Sequence, residues 1–143
     1  MFVDDRNDSR EFFLRVWRRM QAGEPLEPLE RIIADVIAAH PEYHAVLARP
    51  DEARAAEFDG RDGRSNPFLH MGLHIALVEQ LQTDRPPGIR AAYQAVMAAA
   101  GNDAHAAEHR MLDCLAHELW QAGQDGRGPD AEAYLAQVRR LVS

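Results

Sequence analysis

Seven histidines stand at positions 40, 44, 70, 74, 105, 109 and 117, and three pairs of them, His40/His44, His70/His74 and His105/His109, are spaced four residues apart. Random placement would give about 0.3 such pairs. On a helix this spacing stacks two imidazoles on one face, where both can reach one ion. At about 100° per residue, His74 falls about 40° from His70 and shares an arc with Leu77 and Leu81, opposite Gly72, Glu79 and Gln80. The same rotation from His105 groups His109, Glu108, Leu112, Leu115 and Leu119, and sends Arg110, His117 and Gln121 to the wet side. His40 aligns with Ile33 and Leu29, directly before Pro41.

Burying one ionisable side chain without a partner costs roughly several kcal/mol, so a group of them calls for mutual compensation. A divalent metal supplies it, because neutral imidazoles and a carboxylate are its natural ligands. The expected ligands are His70, His74, His105, Glu108 and His109, joined by His40 and His44 at the helix break, around one or two ions. Glu79, Glu118, Glu30 and Tyr43 are expected to hold the free ring nitrogens, and His117 to lie at the surface. Iron is the first expectation for the metal, with manganese or zinc as alternatives, and the role would be redox, oxygen-related or sensing. Two other readings stay open. The histidines could hydrogen-bond within the core of a non-catalytic helical interaction module. Alternatively, His105-Ala-Ala-Glu108-His109 matches the H-x-x-E-H string of a small zinc-dependent hydrolase, with Glu108 as base. No substrate or reaction can be named from these residues.

The elements that would position them are helices. Ala, Leu, Arg and Glu dominate and β-branched residues are few, so an all-α bundle of five or six helices in one domain over 1–143 is expected. The first runs from about Ser9 to Gln21, with Asp8 and Glu11 at capping-box spacing, an apolar stripe of Phe12, Phe13, Val16, Trp17 and Met20, and a stop at Gly23 and Pro25. The second, Pro28 to Ala39, turns Leu29, Ile32, Ile33, Val36 and Ile37 inward. Pro41 disfavours helical geometry at His40, and a short helix restarts over Pro41 to Ala48. Residues 49–66 read as a polar surface loop. Ser65 or Asn66 caps a helix from Pro67 to about Gln82, which TDRPPG breaks. Further helices follow over about Gly88–Ala100, Asp103–Ala122 and Asp130–Val142.

With 143 residues, 46% apolar, the chain can bury a real core. A net charge of −7 and only short cationic spots, Arg15/Arg18/Arg19 and Arg139/Arg140, argue against nucleic acid as a partner. No apolar run approaches the ~18 residues of a membrane span, and the N-terminus lacks a signal-peptide pattern. Cys114 is the sole cysteine, which excludes intrachain disulfides and cysteine-rich zinc sites. A cytoplasmic protein acting on a small molecule or oxygen is the expectation, with homodimerisation left open.

The strings HPEYH (40–44), SNPFLHMGLHIALVEQ (65–80), TDRPPGIR (83–90) and AEHRMLDCL (107–115) resemble an uncharacterised bacterial family, domain of unknown function 1841. The resemblance covers nearly the whole chain and implies a stand-alone bacterial protein of this length, but no activity. The family pattern has Ala-Gln-Arg after the tryptophan where this chain reads Ala122-Gly123-Gln124, so the end of the fifth long helix is expected to differ. The histidine spacing is also similar to that of hemerythrin-like bundles, without their ordering of His, H-x-x-x-E and H-x-x-x-H elements.

Overall fold

Why helices form here is legible at their ends. The computed structural model describes residues 6–56 and 66–142, and among them eight α-helices and one 3-10 turn occur with no strand. The all-α class holds, with more helices than the five or six expected. The first helix, α1 (Arg6–Ala22), closes at Gly23 (φ 68°), whose amide bonds the Met20 carbonyl while Glu24 bonds Arg19. It begins about a turn earlier than the start expected near Ser9. In α2 (Pro28–Ala38) proline occupies the first turn, and Glu30 reaches back to accept from the Glu27 amide at 2.9 Å. Ile33, Val36 and Ile37 of α2 are buried as expected, whereas Leu29 is exposed.

His40 is non-helical (φ −125°, ψ 64°), as a residue before proline should be. The single short helix expected next is instead a 3-10 turn, Pro41–Tyr43, running into α3 (His44–Leu47). The segment read as a polar loop contains a further helix, α4 (Pro50–Ala55). Its signals are Pro50 in the first turn, Asp51 and Glu52 beside it and Arg54 in the last turn. One residue far away in sequence completes it. The buried Arg10 guanidinium donates through Nη1 to the carbonyls of Ala53 (2.9 Å) and Ala56 (2.7 Å), groups a helix end leaves unsatisfied. The rest of the expected loop, 57–65, lies outside the described residues, as does Ser65. Asn66 caps α5 (Pro67–Thr83), its Oδ1 accepting from the Phe68 and Leu69 amides.

The remaining helices are α6 (Ile89–Ala99), α7 (Ala104–Asp125) and α8 (Ala131–Arg140). Asp103 caps α7 and Asp130 caps α8. α7 runs a turn past the expected Ala122, to the left-handed Gly126. The chain divides into two compact units, Met1–Ile75 and Ala76–Ser143, at a point inside α5. In the first unit α1 packs on α2, α3 and α4 around Phe13, Val16, Ile33, Ile37, Leu47 and Met71. In the second, α6, α7 and α8 pack on one another and bury Ile89, Val96, Met111, Leu115 and Val138. Tyr134 of α8 donates to Gln80 Oε1 at 2.8 Å, and burial raises the pKa of its phenol.

Candidate metal centre

Three histidines of the first unit meet: His40 at the end of α2, and His70 and His74 one turn apart on α5. Their ring centroids lie 5.1 Å (His40–His70), 4.6 Å (His40–His74) and 4.8 Å (His70–His74) apart, in edge-to-face arrangements. Each offers a ring nitrogen, and these nitrogens lie within 4.8 Å of one another. Two nitrogens bound to one ion sit about 3–4 Å apart, so movements of under about an ångström would bring the set to ligating distance. His40 and His74 are buried and His70 is half-buried.

The tautomer of His40 follows from its surroundings. Its Nδ1 lies 2.7 Å from the Val36 carbonyl, an acceptor only, so Nδ1 carries a proton, and in the neutral imidazole Nε2 then presents a bare lone pair. That Nε2 is buried and has no hydrogen-bond partner among the described residues. Tyr43 stacks parallel on the His40 ring at 5.4 Å and meets His70 edge-on at 6.1 Å, which fixes the imidazole from a second side. Of the four residues expected to steady the ligands, Tyr43 is the one seen against the rings of this group.

His44 is placed differently. Its Nε2 donates to the Ile37 carbonyl at 2.9 Å and its ring packs on Trp17 at 4.7 Å, so it ties the turn to α1 and α2. Glu30 is buried but committed: Arg19 Nη1 bonds both carboxylate oxygens at 2.9 Å. Glu79 is exposed.

In the second unit the H-x-x-E-H string lies in the first turns of α7, where the His105 and His109 rings lie with centroids 4.1 Å apart and planes tilted by 39°. His105 is exposed, which corrects the expectation that it faces inward. Asp103 caps the helix two residues before it, so His105 stands in the first turn of α7. Glu108 accepts a hydrogen bond from Tyr93, whose pKa is raised by burial and by the charge of Glu108. Glu118 is buried and held by Arg127 Nη1 at 2.8 Å and the Asp130 amide at 2.9 Å, contacts that lower its pKa. It closes the loop between α7 and α8. His117 is exposed, on the wet side expected for it.

The profile of a protein family described as "Domain of unknown function (DUF1841)" matches residues 5–140. The chain belongs to this family. No curated protein and no solved structure matches it. The DUF1841 match includes all seven histidines, so the spacing noticed in the sequence falls wholly within the family's extent. Two partners of the histidine group had no side-chain signal. The Val36 carbonyl is backbone, and it could be anticipated only from His40 standing four residues beyond Val36 where α2 ends. The Trp17 contact of His44 joins residues 27 positions apart and has no local trace.

Proposed function

We propose that this DUF1841 protein binds a divalent transition metal through His40, His70 and His74. The observation that carries the reading is His40 Nε2, a buried acceptor with no hydrogen-bond partner among the described residues, beside two further imidazoles. Leaving such a group unsatisfied costs about 1–3 kcal/mol, and a metal ion offsets that cost. The Val36 carbonyl on Nδ1 is the support that ligating histidines typically have on their other nitrogen. Three imidazoles suit zinc, iron, nickel or copper. Iron remains the first candidate carried from the sequence, and a redox, oxygen-related or sensing role in the bacterial cytoplasm is part of the proposal.

Elemental analysis of protein purified without an affinity tag is expected to give about one transition-metal ion per chain. His74→Leu should abolish that content, and His109→Leu tests the second pair by the same readout. Sub-stoichiometric metal, together with no thermal stabilisation on adding iron, manganese or zinc, would sink the reading.

His44 supports a second reading, because it shows one histidine of the set used purely as a structural tie. In that case the group serves a helical interaction module. His74→Leu would then keep or raise stability with no change in metal content, since exchanging buried polar groups for apolar ones can be neutral or better.

A further inference from the structure

Away from the histidine group, the first unit carries a cavity of ≈ 420 Å³ between α1 and the α3–α4 segment. This falls within the roughly 300–1,000 Å³ of small-molecule sites. Its floor is apolar: Leu14 and Leu47 are buried and Trp17 is half-buried, with Ala48 and Pro50 beside them. Its rim is cationic, since Arg15, Arg18 and Arg54 line it against a single carboxylate, Glu11. That carboxylate is already taken, because Arg54 bonds it through Nε and Nη2. Arg15 lies 4.4 Å over the Phe12 ring and has no carboxylate partner among the described residues, and neither does Arg18. Two guanidiniums three residues apart on one helix face therefore line a cavity with an apolar floor, with no carboxylate against them among the described residues.

We propose that this cavity binds a small organic carboxylate with an apolar body, such as a medium-chain or aryl acid. The body would lie on Leu14, Trp17 and Leu47. The carboxylate would meet the guanidiniums of Arg15 and Arg18, whose fork geometry suits that group. The chain as a whole carries −7, so an anion is favoured here by local charge alone, against the overall field. The site is independent of the metal reading and shares no ligand residue with it.

Decanoate titrated into the full chain, followed by calorimetry and tryptophan fluorescence, is expected to bind saturably, and 1-decanol about tenfold more weakly or less. Arg18→Glu should lower decanoate affinity by about tenfold or more, and Arg15→Glu by a similar factor. The fluorescence change should vanish in Trp17→Phe and persist in Trp120→Phe, because Trp17 alone of the two tryptophans lines the cavity. Comparable affinities for decanoate and decanol, undiminished affinity in Arg18→Glu, no saturation at millimolar decanoate, or a signal arising from Trp120 would each overturn the proposal.

Discussion

The neighbours of Glu118 and His40 decide what each can do. Glu118 is an ionised carboxylate clamped by Arg127 and by the Asp130 amide, and these contacts hold its pKa below the ordinary carboxylate value. A depressed folded-state pKa contributes stability that is fully present above the unfolded value of about 4.3 and is lost as pH falls through the folded value. Glu118→Gln should therefore lower the melting temperature at pH 7, with the gap to the parent protein narrowing as pH falls below about 4.3. Thermal melts of the two proteins from pH 7 downward check it, and a gap that does not change with pH would show that packing rather than charge is responsible. His40 differs because it is held at one nitrogen only. Its environment leaves Nε2 as the group that still needs a partner, and this separates it from His44, whose Nε2 is already bonded.

At the scale of elements, short helices depend on partners that local sequence does not contain. With six residues, α4 is far below the ~12–15 at which an isolated helix is even marginal in water. Its C-terminal carbonyls are held by Arg10, more than forty residues upstream, and the same guanidinium lies 5.1 Å over the Phe68 ring at the start of α5. Hydrogen bonds from a charged group contribute about 1.5–3 kcal/mol, so Arg10→Leu should destabilise the protein by about that amount. Urea denaturation measures it, and a change below about 0.5 kcal/mol would show that α4 holds without the clamp. The long helices were readable because their signals are local: Pro28 at the start of the second, Asn66, Asp103 and Asp130 at the starts of later ones, and Gly23 at the end of the first, whereas the Glu27–Glu30 box and the Gly126 stop were not read. α4 was passed over because its polar composition looks like a loop and only Ala53 of its residues is buried.

For the whole molecule, metal binding would register as stability, since a ligand bound only by the folded state stabilises it in proportion to the logarithm of its excess. At a hundredfold excess over its dissociation constant this is about 2.7 kcal/mol, or a melting-temperature rise of roughly 5–10 °C for a chain of this size. Differential scanning calorimetry with added metal and then with chelator should show the rise and its reversal, and His40→Leu should abolish both. No helix among the described residues is long and apolar enough to cross a membrane, in line with the absence of any long apolar run in the sequence. The all-α class, the main helices and the pairing of His70 with His74 were all determined by the sequence alone. Helix periodicity and capping act over a few residues, so each is written where it operates. Which histidines meet was a matter for the tertiary structure. It brings His40 to His70 and His74 across thirty residues of chain, turns His44 to Trp17, and leaves His105 in solvent. A helical wheel gives a side chain's direction around its own axis. What lies in that direction depends on where the other helices pack, and no local periodicity encodes that.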